Sequence, residues 1–149
     1  MAKILITTVP FGQENRLPLD LLKTEGIEYL INPFKQKITE EQLAEIVTDF
    51  NVIIAGTEPI TENVLNNATG LGLISRVGIG LDSVDLLAAQ KRGIKVSYTP
   101  DTPSPAVAEF TIGLMLCLLR SVHISNSQMH QGLWHHYLGK RLEDTVVGI

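Results

Sequence analysis

The chain has 149 residues, 44% of them hydrophobic, which suffices for one well-buried core. Its formal net charge is −4, with 12 Lys and Arg against 16 Asp and Glu. No basic cluster stands out, which argues against a nucleic-acid surface, and a single cysteine excludes an internal disulfide.

Met1-Ala2-Lys3 runs straight into a strand, without the small-residue cleavage site of a signal peptide. Lys3 to Val9 is β-branched and suits a central parallel strand, ended by Pro10 and Gly12. Leu17 to Thr24 predicts a helix with Pro18 in its first turn and Gly26 at its end. Ile27 to Asn32 is a second strand. Thr39-Glu40-Glu41-Gln42 is a capping box, because Thr39 and Gln42 can each satisfy the other's free backbone N–H. Leu43, Ile46 and Val47 give the helix that follows one apolar stripe. Val52 to Ala55 is a third strand and Thr61 to Asn67 a third helix.

Leu71 to Val77 is a fourth strand, running into the glycine turn Val77-Gly78-Ile79-Gly80-Leu81-Asp82. Ser83 then caps a helix with Val84, Leu87 and Ala88 on its apolar side, and Gly93 closes it. Gly78 and Gly80 have two readings. They either only permit a tight strand-to-helix turn, or they expose backbone N–H groups that suit a small anion. Ile94 to Tyr98 is a fifth strand. Strict alternation of strand and helix predicts an α/β fold, a flavodoxin-like doubly wound parallel five-stranded sheet of order 2-1-3-4-5 over residues 1–99.

Ligands of such sheets lie beyond the carboxyl ends of the strands. Three loops qualify: Val9-Pro10-Phe11-Gly12, Gly56-Thr57-Glu58-Pro59 and the glycine turn. Thr57 can donate a hydrogen bond to a ligand or cap its own loop. Phe11 is a pocket wall or core, and Arg76 either faces an anion or pairs with a nearby carboxylate.

Pro100, Pro103 and Pro105 stiffen residues 100–105 into an extended hinge. Ser104 and Pro105 are a good helix start, and the helix from Ala106 to Gln131 would be roughly 39 Å long. Its first half is apolar nearly all round and expects burial on several sides. Phe110 to Leu119, its most apolar run, falls short of the ~20 residues of a membrane span. Cys117 within it reads as an inert core thiol. Gly132-Leu133-Trp134 breaks the helix, and Thr145 to Ile149 begins another strand. His123, His130, His135 and His136 read as solvated or interface residues; the adjacent pair lacks the further ligands of a metal site. With no membrane span and no leader signal, the expected location is cytoplasmic.

Three blocks, Val77 to Asp85, Arg92 to Val96 and Pro105 to Leu116, resemble the D-isomer-specific 2-hydroxyacid dehydrogenases in content and spacing, most of all the members acting on phosphoglycerate. The resemblance implies that Ile79 and Gly80 offer backbone amides to a substrate carboxylate, with Gly78, Thr57 and Arg76 beside them. It implies NAD-dependent hydride transfer on a 2-hydroxy or 2-oxo acid in a full-length parent. It also implies a homodimer through the helix starting at Ala106. On this reading residues 106–149 are the dimerisation helix and the start of a truncated Rossmann domain, and Gly-x-Gly-x-x-Gly and the catalytic Arg, Glu and His would lie beyond Ile149. No catalytic residue, cofactor or metal is expected of this chain itself.

Two departures qualify the likeness. Pro103 stands where relatives carry Asn, and Ala55 stands where phosphoglycerate-acting members place a second phosphate-binding arginine beside Arg76. The rival expectations are a non-catalytic binding or scaffold protein on the same fold, and a receiver or flavin module. Ile6-Thr7-Thr8-Val9 lacks the paired acids of a receiver, and Val9-Pro10-Phe11-Gly12 is a poor flavin phosphate loop.

Overall fold

Three consecutive aliphatic side chains, Ile4, Leu5 and Ile6, are buried in strand β1 (Lys3–Ile6), which therefore has no solvent face. The computed structural model describes residues 2–148. β1 pairs in parallel with β2 (Glu28–Ile31) on one side and β3 (Val52–Ala55) on the other. β4 (Leu73–Arg76) and β5 (Lys95–Tyr98) extend the sheet to the order β2-β1-β3-β4-β5. This is the order expected from the alternation of elements.

The twofold alternation along each strand sorts the core into two layers. Leu5, Ile53, Ala55 and Ile74 point to one face, under α2 (Glu40–Ile46), α3 (Glu62–Asn67) and α4 (Leu86–Lys91). Ile4 and Ile6 point to the other, under Leu19 of α1 (Leu17–Thr24). Each fully buried Leu or Ile contributes about 1.5–3 kcal/mol. The Thr39 capping box forms as expected: Gln42 N–H donates to the Thr39 hydroxyl at 3.3 Å, and Thr39 N–H donates to Gln42 Oε1 at 3.1 Å.

The chain divides into two compact units, Met1–Thr102 and Pro103–Ile149. Residues 100–103 are turned rather than extended. Thr102 N–H donates back to the Pro100 carbonyl at 2.6 Å, and Asp101 takes a left-handed φ of 57°.

In the second unit the expected single helix is two, α5 (Ser104–Leu119) and α6 (Val122–His130), bent by 65°. The break is at Ser121, whose left-handed φ of 53° ends one helix while its carbonyl accepts from Ser125 N–H to begin the next. No single helix among the described residues is long and apolar enough to cross a membrane. The cover that α5 is expected to need does not come from this chain: none of its residues is buried, Phe110 and Leu118 are 67% and 70% exposed, and Cys117 is half-buried rather than in a core.

The strand expected from Thr145 does not form over residues 145–148. Thr145 is extended, but its N–H closes a short 3₁₀ turn (Leu142–Asp144) on the Leu142 carbonyl at 3.0 Å. A strand needs a neighbour to complete its ladder, and Val146 lies wholly in solvent. Ile149 is outside the described residues.

Candidate functional site

β4 ends by handing its ladder to a turn. Val77 N–H donates to the Ala55 carbonyl at 2.8 Å, and Gly78 then takes φ 140°, open to few residues but glycine. Gly78 is held from below by Thr99. Its N–H donates to the Thr99 hydroxyl at 2.7 Å, and its carbonyl accepts Thr99 N–H at 3.1 Å. The Gly78 amide is therefore occupied, which leaves Ile79 and Gly80 as the amides of the turn. Ile79 is about half-exposed and Gly80 half-buried.

Arg76 lies against this turn. It is only 8% exposed, it donates through Nη1 to the Val77 carbonyl, and its buried Nε has no acceptor. A Cβ on Gly78 would come within 2.6 Å of Nη1, so the glycine makes room for the guanidinium as well as for the backbone. Among the described residues Arg76 forms no ion pair, so the carboxylate-partner reading is not the one realised. Its charge stays available beside the turn. Asp82 opposes it in part. A Cβ on Gly80 would meet Asp82 Oδ1 at 2.7 Å, although Asp82 itself is exposed.

The helix after the turn starts later than expected. Asp85, not Ser83, caps α4, accepting Ala88 N–H at 2.9 Å. Ser83 has another role: its carbonyl accepts Ile60 N–H at 2.7 Å, and Asp85 N–H donates to the Ile60 carbonyl at 2.9 Å. These bonds form a lone parallel bridge between Ile60 and Val84, which ties the loop after β3 to the loop after β4.

The loop after β3 carries a residue that sequence reasoning passed over. Glu58 is 97% buried by its fractional exposure of 3%; its Oε1 accepts the Gly56 N–H at 2.9 Å and the Thr7 hydroxyl. Glu58 thus closes the loop, one of the two tasks open to Thr57, which is left exposed at the mouth of a cleft. The cleft, about 190 Å³, lies where β1 and β3 end and is lined by Thr7, Thr8, Pro10, Lys37, Thr57 and Glu58. This is the point where strand order reverses. Asn32 fixes one wall, donating through Nδ2 to the Thr7 carbonyl at 3.1 Å and the Gln36 carbonyl at 2.9 Å. Phe11 packs half-buried against the Ile4, Ile6 and Leu19 layer, as core.

The second unit supplies less chemistry. His135 stacks edge-on to Tyr137, with ring centroids 4.5 Å apart, beside a groove of about 210 Å³ that also involves Arg120, Trp134 and His136. Among the described residues no three His, Cys, Asp or Glu side chains come together as a metal site.

Comparison with known proteins adds to this geometry. The model of the family "D-isomer specific 2-hydroxyacid dehydrogenase, catalytic domain" matches residues 9–141. D-3-phosphoglycerate dehydrogenase of Sus scrofa is 36% identical over 118 residues, covering 77% of this chain and 22% of that protein. Hydroxypyruvate reductase of Thermotoga maritima is 30% identical over 138 residues, covering 87% of this chain and 45% of that protein. Among solved structures, the NAD⁺-bound 3-phosphoglycerate dehydrogenase of Entamoeba histolytica aligns with a TM-score of 0.71 at 28% identity, over 80% of this chain and 39% of that one. The chain spans less than half the length of each of these three relatives.

Proposed function

The chain belongs to the D-isomer-specific 2-hydroxyacid dehydrogenase family, and on that premise we propose that it is the substrate-holding part of such an enzyme. The observation that carries this reading is the glycine turn. The Ile79 and Gly80 amides stand at the carboxyl edge of the sheet, next to a buried, unpaired Arg76. Two backbone donors and a guanidinium charge suit the carboxylate of a 2-hydroxy or 2-oxo acid. Thr57, one loop away, offers a hydroxyl. Gly78 serves by its conformation and by the space it leaves for Arg76, rather than by its amide.

The pyrophosphate of NAD, the family's hydride carrier, is cradled by a Gly-x-Gly-x-x-Gly turn at a helix start, and these 149 residues contain no such motif. Within this reading the turn anchors the acid and the carrier is held by residues other than these. A calorimetric titration of the chain with NAD is expected to give no binding heat; micromolar affinity would refute that division of labour.

We also propose self-association through α5. Val107, Phe110, Ile112, Leu114 and Leu118 are each about half-exposed or more. Leaving such side chains in water costs on the order of 1.5–3 kcal/mol each, and a second copy of the same helix would cover them.

The anion site is tested by following backbone amides while D-glycerate is added. Shifts are expected at Ile79 and Gly80, and Gly80→Val should abolish them while leaving the sheet's amides in place. Shifts confined to residues outside 78–83, or an unchanged response in the variant, would overturn the assignment.

A further inference from the structure

Glu58 is the only buried carboxylate among the described residues, and its hydrogen bonding is one-sided. Both donors that reach it, the Thr7 hydroxyl and the Gly56 N–H, engage Oε1. The Thr7 hydroxyl also lies 3.0 Å from the Ile54 carbonyl, so its single hydrogen has two acceptors within reach, that carbonyl and Glu58 Oε1. Oε2 lies on the Gly56 and Thr8 side, where a Cβ on Gly56 would approach it to 2.9 Å. No Lys or Arg stands within ion-pair distance of Glu58 among the described residues. Oε2 has no protein donor and is not among the buried polar atoms that lack one, so it is the acceptor that this otherwise buried residue leaves open to a donor from outside.

The donor's way in is the cleft of about 190 Å³ beyond β1 and β3, where Thr7, Thr8 and Thr57 stand around the carboxylate. Lys37 also lines the cleft, but it is exposed, so salt screens its charge far more than that of Glu58. The atoms that Thr7, Thr8, Thr57 and Glu58 present here are oxygens, which suit an incoming donor. The cleft and the glycine turn stand at the ends of adjacent strands, since the Ala55 carbonyl of β3 accepts Val77 N–H at the end of β4.

We infer that this cleft is a donor-selective subsite, which takes the hydroxyl- or ammonium-bearing end of a small acid and turns away a phosphate. For the identity of the ligand this rests on the proposed carboxylate site at Ile79 and Gly80; its own chemistry is read at Glu58 alone. It specifies the substrate class as an unphosphorylated hydroxy acid with a second donor group.

The test uses the whole chain, labelled for amide detection, at matched ionic strength. Methylammonium chloride is expected to shift the Gly56 and Thr57 amides, and inorganic phosphate is expected to leave them in place. Glu58→Gln retains an oxygen for the Gly56 N–H and removes the charge, so it should weaken the methylammonium response by about tenfold. The same substitution should narrow the preference for D-glycerate over 3-phosphoglycerate. A phosphate response at Gly56 and Thr57, no methylammonium response in the unsubstituted chain, or an equal one in Glu58→Gln would overturn the inference. If the variant loses its fold, the two probes on the unsubstituted chain decide alone. A failed carboxylate site would show instead at residues 78–83 with D-glycerate, a separate set of signals.

Discussion

β3 and α5 are both built from aliphatic side chains, yet Ile53 of β3 is wholly buried whereas α5 has no buried residue along its 16. The difference lies in what comes back to cover each element. Ile53 is overlaid by the α2 to α4 layer, and its strand is paired on both edges. In the second unit α5 meets α6, a short turn and, through Leu119, the backbone of Lys140, and none of them buries a residue of it. Apolar content shows that an element requires cover, and the cover itself must come from other elements or other chains.

The comparison can be broken most forcefully at Ile53. Ile53→Ala should cost about 2–5 kcal/mol of unfolding free energy, read as a lowered urea midpoint for the sheet. A loss of under about 1 kcal/mol would mean that the sheet's core tolerates cavities and differs less from α5 than its burial suggests.

A subtler probe replaces Leu114 and Leu118, one helical turn apart, with Glu. Sheet stability should change by no more than about 0.5 kcal/mol, as for ordinary surface positions. Sedimentation equilibrium should instead show a dimer of the unsubstituted chain reduced to its 16.4 kDa monomer. A monomeric unsubstituted chain at micromolar concentration would remove self-association as the cover for α5.

The smallest effect lies at the capping box. A bond from its own backbone N–H, and then one from the Thr39 hydroxyl, hold the Glu41 carboxyl below the usual carboxylate range. Its folded pKa is thus lower than its unfolded one. The small stability it adds is complete above the unfolded value and fades as pH falls through the folded value. Glu41→Gln should be slightly less stable than the parent at neutral pH, and the two unfolding curves should converge on acidification. A gap that persists at low pH would assign the effect to something other than this charge.

Much of the first unit was legible because its signals are local. Leu17–Thr24 and Val52–Ala55 fall where the pattern places them, and Thr39 with Gln42 caps as its spacing demands. The misses share a cause, which is that tertiary partners redirect local preferences. Ser83 was a sound cap by type, but the Ile60 bridge takes its carbonyl and moves the helix start to Asp85. Ser121 carries no sequence mark of a left-handed residue, so the break between α5 and α6 was invisible. The candidate loop after β3 was recognised, but its principal residue was not. An acid between Thr57 and Pro59 reads as solvated, and the fold-back of Glu58 onto the Gly56 N–H, in space where a Cβ would approach Oε2 to 2.9 Å, leaves no local mark.

The bridge between Ile60 and Val84 has a consequence for anyone wishing to redesign this protein. It yokes the Thr57–Glu58 loop to the Ile79–Gly80 loop through two short backbone bonds that no side-chain exchange removes. The two loops therefore form one mechanical part, and a change made to admit a new group at one will be transmitted to the other. Libraries that vary the loops separately would sample the wrong space. Substitutions across this yoke should be chosen in pairs, because their effects will not add.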